Sequence, residues 1–155
     1  MDVYERMKAK GITLPAPPPP GGLYSPIREF ADRLVYTSGV GSTLEDGSPA
    51  YKGKVGRDLT LEEGQAAARH TALNLVSLLH HKLGDLNRVK QIVKVLGFVS
   101  SADDFTAQPA VMNAASQLFM DVFGEEEGRG ARSAIAVNVL PGDIAVEIEL
   151  VVELK

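Results

Sequence analysis

The sequence predicts an α+β fold, a single mixed β-sheet with two helices packed on one face. Two stretches repeat apolar residues at helical spacing, one after Thr60 and one after Pro109. Strand-like runs lie before, between and after them, and the last two are joined by Pro141-Gly142, a strong hairpin signal. The order is strand, strand, helix, strand, helix, strand, strand. With right-handed crossovers both helices reach the same side of the sheet. At 155 residues the chain has the length of one domain.

In chain order, Asp2 to Lys10 predicts a short helix with Val3, Met7 and Tyr4 on one face and Gly11 as its stop. Pro15-Ala16-Pro17-Pro18-Pro19-Pro20-Gly21-Gly22 follows. Consecutive prolines fix an extended polyproline conformation, and the two glycines release it. Residues 1–23 therefore read as an N-terminal helix and a stiff arm lying on the surface, or a proline-motif ligand for a partner, and residues 24–155 as the domain proper. Tyr24–Phe30 and Leu34–Val40 form a hairpin through Ala31-Asp32-Arg33. Gly41 to Asp58 is rich in Gly, Ser, Asp and Lys, and reads as a long loop.

Thr60 and Glu63 fit a capping box. The helix they open carries Leu61, Ala68, Ala72, Leu75, Val76, Leu79 and Leu83 on one face and ends at Gly84. Val89 to Val99 is a strand. The second helix starts near Pro109, shows Val111, Ala114, Ala115, Leu118 and Val122, and stops at Gly124.

Composition removes several function classes. The chain has no cysteine, which excludes disulfides, thiolate metal sites and a Cys nucleophile. Sixteen Lys+Arg against 20 Asp+Glu give a net charge of −4, and no basic–aromatic strip is present, so a nucleic-acid partner is not expected. No apolar run reaches the ~18–20 residues that span a bilayer. The N-terminus lacks the order of a secretory signal. A cytoplasmic protein without membrane association is expected. His70, His80 and His81 read as helix-surface residues, and neither metal nor cofactor is implied.

The last hairpin is the most informative segment for function. With Leu140 paired to Asp143, Ser133, Ile135, Val137 and Val139 share a face with Ile144, Val146, Ile148, Leu150 and Val152, and that apolar face lies under the helices. The opposite face holds Arg132, Ala134, Ala136, Asn138, Ala145, Glu147, Glu149 and Val151. It is too apolar for water and no helix is left to cover it, so a homo-oligomer is expected to bury it. Arg132, beside the hollow left by Ala134 and Ala136, suits bidentate capture of a carboxylate, and a nearby carboxylate could deliver water. The competing reading makes Arg132 an interfacial ion pair. The loop 124–130 is glycine-rich enough to gate such a pocket.

These residues resemble the RidA/YjgF family, also labelled the endoribonuclease L-PSP family. The resemblance rests on Ala131-Arg132-Ser133-Ala134, Leu140-Pro141, Val146-Glu147-Ile148-Glu149 and Thr37-Ser38-Gly39, with Gln65, Leu73-Asn74 and Asn113 in the helices. It covers about residues 30–154. It implies a chorismate-mutase-like trimer with pockets at the subunit clefts, hydrolysing enamines and imines such as 2-aminoacrylate to 2-keto acids and ammonia. Arg132 matches the arginine that holds the substrate carboxylate, and Glu147 the glutamate that positions water. Ser38 and Gly39 match a pocket-wall strand. Ala134 stands where the family often has cysteine, and Ser25, next to Tyr24, stands where deaminase members have a pocket tyrosine. Catalytic roles are thus expected for Arg132 and Glu147, and binding roles for Ser38, Gly39, Tyr24, Ala134 and Asn113. The alternative function is a non-catalytic protein that binds a small carboxylate on the same trimer.

Overall fold

A computed structural model describes all 155 residues. Its elements are α1 (Val3–Ala9), β1 (Ile27–Phe30), β2 (Leu34–Thr37), β3 (Val40–Gly41), α2 (Leu61–Leu83), β4 (Val89–Ser100), α3 (Gln108–Phe123), β5 (Ala131–Val137) and β6 (Val146–Leu154). The fold is mixed α+β, with one sheet and three helices. The strand order is β1-β2-β6-β4-β5, and β3 pairs with β6 beyond the end of β2. Only β4 and β5 run parallel, with α3 as their crossover.

The helices form where local chemistry starts and stops them. Thr60 and Glu63 make the reciprocal capping box that opens α2, and Asp2 and Glu5 make another at α1. Pro109 occupies the first turn of α3, where its missing N–H costs nothing. The apolar stripes of α2 and α3 pack on each other and on the sheet, burying Leu75, Leu79, Met112, Leu118 and Phe119. The first helix is part of that core, since Val3, Met7 and Ile12 join the same buried cluster. It packs on α3, with Lys10 paired to Asp121 at 3.4 Å.

The expected hairpin between the last two strands is corrected. Pro141 to Asp143 does reverse the chain, with Gly142 and Asp143 both at positive φ. The two strands do not meet, however, because β4 lies between them and pairs with β5 on one side and β6 on the other. The facing of β6 is as expected, with Val146, Ile148, Leu150, Val152 and Leu154 buried. That of β5 is reversed. Arg132, Ala134 and Ala136 pair with Val95, Gly97 and Val99, whose side chains or Cβ positions turn toward α3. Ser133, Ile135 and Val137 therefore share the other face with Leu96, Phe98, Glu147 and Glu149.

That other face has no helix over it. It is uncovered, as expected, but through different residues, with Phe30, Tyr36 and Ile135 each exposed by 45–47%.

The strand expected over Leu34–Val40 breaks at Ser38-Gly39 into β2 and β3. Both halves pair with β6, to Val151–Glu153 and to Glu147–Ile148. The Thr37 hydroxyl accepts the Leu150 N–H at 2.9 Å and so fills the gap in the ladder. The long loop that follows is ordered against the sheet. Lys52 bridges to Ile144, and Val55, fully buried, bridges to Ser101.

Candidate functional site

A concavity opens at the break at Ser38-Gly39. A cleft of about 660 Å³ opens there, and Tyr24, Ser38, Gly39 and Glu147 all line it. Gly39 passes so close to Glu147 that a Cβ would lie 1.9 Å from its Oε1, so only glycine lets the carboxylate fill this space. The Ser38 hydroxyl donates to the Ser25 carbonyl at 2.7 Å and its N–H donates to the Pro26 carbonyl at 3.0 Å. These bonds hold the segment carrying Tyr24 against the break.

The far wall is fixed from α2. Asn74, buried, donates from Nδ2 to the carbonyls of Gly41 and Thr43 at 3.1 and 2.8 Å. His70 Nε2 bonds the same Thr43 carbonyl at 2.8 Å. His80 bonds the Tyr4 hydroxyl at 3.1 Å, far from the cleft.

Glu147 is the chemical centre of this cleft. Burial raises its pKa above the ordinary 4.5, and the neighbouring charge of Glu149 pushes the same way. No hydrogen bond to its own chain opposes these effects. The group is therefore a carboxyl that binds a proton more readily than an ordinary glutamate and lines an open cleft, an arrangement suited to a general acid–base.

Arg132 lies elsewhere. On the helix side of edge strand β5, its guanidinium donates to Asn113 Oδ1 at 2.9 Å, to Ser116 Oγ at 3.1 Å and to the Pro109 carbonyl at 3.4 Å, all on α3. Asn113 thus touches Arg132, as a partner that orients it. Ala134, on the same face, packs against the core rather than bordering an open hollow. Within one chain Arg132 and Glu147 point to opposite faces of the sheet, with β4 between their strands. The face expected to be shared by Arg132, Glu147 and Glu149 is corrected for the same reason.

Loop 124–130, expected to gate the pocket, forms no part of the cleft wall. It is tied down by Gly128 N–H to the Gly124 carbonyl at 2.9 Å and by Ile92 N–H to the Glu127 carbonyl at 2.7 Å. What does border the cleft, and was not foreseen, is Pro18-Pro19-Pro20 together with Asp46 and Pro141-Gly142. No local pattern marks these residues as neighbours of Glu147, because tertiary contacts bring them together, the proline run being tied to Ser77 of α2 and to Glu45.

The model of the YjgF/chorismate mutase-like family, provisionally described as endoribonuclease, matches residues 4–154. Atu1372 of Agrobacterium tumefaciens, a protein of unknown function, is 36% identical, with a TM-score of 0.88 over 99% of this chain and 92% of that one. A Shewanella oneidensis protein, provisionally named an endoribonuclease, is 31% identical, with a TM-score of 0.92 over 99% of this chain and 100% of that one. Protein TCP17 of Trypanosoma cruzi is 52% identical over 103 residues, which span 66% of this chain and 64% of that protein.

Proposed function

Since the chain belongs to the YjgF/chorismate mutase-like family, we propose that it hydrolyses reactive enamines and imines, 2-aminoacrylate-like, to 2-keto acids and ammonia in a cleft completed by a second subunit of a homotrimer. The observation that carries this reading is the Glu147 carboxyl, its pKa raised by burial, lining the cleft beside Gly39.

The chemistry asks for little beyond placement and a proton carrier. An enamine tautomerises to the imine, and water then adds to the imine carbon while the nitrogen gains a proton. The carbon–nitrogen bond breaks, a carbonyl forms and ammonia leaves, so one water enters for each ammonia released. Glu147 takes the proton from water and returns it to the departing nitrogen, a role suited to a carboxyl with a raised pKa. Holding substrate and water in one cleft removes most of the entropic cost, and such imines already react in water.

The substrate carboxylate needs a cation, and no Lys or Arg of this chain lines the cleft. Arg132 of the partner subunit is the proposed one, its fork suited to a carboxylate. The separation of Arg132 from Glu147 within one chain supports a site built from two. The uncovered apolar face, with Phe30, Tyr36 and Ile135, supports the assembly that would provide it. A net charge of −4 and the absence of any Lys or Arg from this chain's own cleft lining give little to neutralise an RNA backbone, which disfavours a ribonuclease reaction.

The test is keto-acid release from freshly generated 2-aminoacrylate or 2-iminobutyrate. Wild type accelerates release over buffer. Glu147→Gln lowers kcat by about 100-fold or more, and Arg132→Ala acts mainly by raising KM. No acceleration by wild type overturns the reading and leaves the non-catalytic carboxylate binder.

A further inference from the structure

The cleft has an outer wall that hydrolysis at Glu147 does not require. Pro18, Pro19 and Pro20 form one side of it. They do not hang free, because the strand of prolines is tied at both ends. The Ser77 hydroxyl donates to the Pro15 carbonyl, and the Ala16 N–H donates to Glu45 Oε1 at 3.2 Å. At the other end the Gly21 N–H donates to the Tyr24 hydroxyl at 2.9 Å, folding the tyrosine ring back toward the run. Pro19 also rests on the loop turn at Gly47, where a Cβ would sit 3.7 Å from its ring.

Three features of this wall bear on what it can accept. A run of prolines presents ring methylenes and no N–H, so it offers apolar surface and nothing that binds an anion. It is stiff before any ligand arrives, so little ordering cost falls on binding. The other groups of the lining with charge are Asp46 and Glu147, both carboxyl, with no cation among them. Hydrogen bonds from the Ser48 hydroxyl and N–H hold Asp46 in its charged form. The space, about 660 Å³, lies within the ~300–1,000 Å³ of cavities that enclose drug-sized ligands. A three-carbon imine fills only a small part of it.

Resting on the imine-hydrolase reading, we infer that the Pro18–Pro20 run is a specificity wall that favours imino acids with a bulky, uncharged side chain and rejects those with an acidic one. The reacting carbon lies at Glu147, the carboxylate turns to the cation of the second subunit, and the side chain extends along the proline rings and Tyr24. A second carboxylate placed there would lose its water without gaining a partner, and Asp46 would repel it.

The experiment compares imines made in place from alanine, phenylalanine and aspartate by amino-acid oxidases, with keto-acid release followed for each. Wild type is expected to show a kcat/KM for the phenylalanine-derived imine about tenfold or more above that for the aspartate-derived one. The triple variant Pro18→Ser, Pro19→Ser, Pro20→Ser lowers the phenylalanine-to-alanine ratio by about fivefold or more. Asp46→Lys raises the aspartate-to-alanine ratio by about tenfold. Asp46 lies on an exposed turn, so that variant decides the matter if the triple variant fails to fold. Imine hydrolysis with ratios unchanged in the variants overturns the wall and leaves the reaction standing. Acceleration of no imine overturns the reaction and the wall with it.

Discussion

Glu147 holds its proton more tightly in the folded chain than in the unfolded one, first because it is partly buried and second because Glu149 lies beside it. A raised carboxyl pKa has a definite sign in stability. The folded state binds more protons than the unfolded state across the window from about 4.5 up to the raised value, so stability is full below that window and falls as pH rises through it. Removing the ionisable group removes the fall. Glu147→Gln is therefore expected to have a higher urea midpoint than wild type at neutral pH and a flatter stability profile above the ordinary carboxyl range. Equal profiles for the two proteins would show that the carboxyl is not destabilised where it sits. Keeping a costly group at the mouth of a cleft is the kind of stability loss that active sites incur.

Among the elements, α1 is the one whose place is least evident from its own length. Seven residues do not hold a helix in water, even with the capping box of Asp2 and Glu5. It persists because Val3 and Met7 are buried against the rest of the core. Met7→Ala is expected to lower unfolding stability by about 2–3 kcal/mol in urea titration, whereas a loss under about 0.5 kcal/mol would mark α1 as an appendage. The same contrast between local and distant causes explains what could be read in advance. The ends of α2 and α3 were legible because Thr60, Glu63, Pro109 and Gly124 act on their own turns. Pro141-Gly142 was legible as a reversal but not as a hairpin. Alternation in two strands says that each has two faces, not which strand lies beside it, and inserting β4 between them reversed the facing of Arg132, Ala134 and Ala136. The cleft was half legible for the same reason. Ser38, Gly39, Tyr24 and Glu147 came together, while Arg132 went to the far side and the prolines entered unannounced.

At the scale of the whole molecule, a site divided between chains makes a prediction that no single-chain site can imitate. If each active cleft takes Glu147 from one subunit and Arg132 from its neighbour, then Glu147→Gln and Arg132→Ala chains restore one another. In a cyclic trimer any mixture of the two leaves one intact site, so random reassembly of equal amounts should recover about a quarter of wild-type turnover. Recovery of none, with mixed assemblies shown to form, would place both residues in one chain's service or remove Arg132 from the reaction. The break between β2 and β3 carries a consequence of another kind, one of time. Gly39 and Glu147 are 108 positions apart, and β2 and β3 reach β6 only after nearly the whole chain has been threaded between them. Contacts of such long separation close late and slowly. The two longer helices, α2 and α3, and the first hairpin can form on their own clocks, but the cleft has no local rehearsal. It comes into being only when the C-terminal strand docks between β2 and β4, so a nascent or clipped chain without that strand has nowhere to do chemistry.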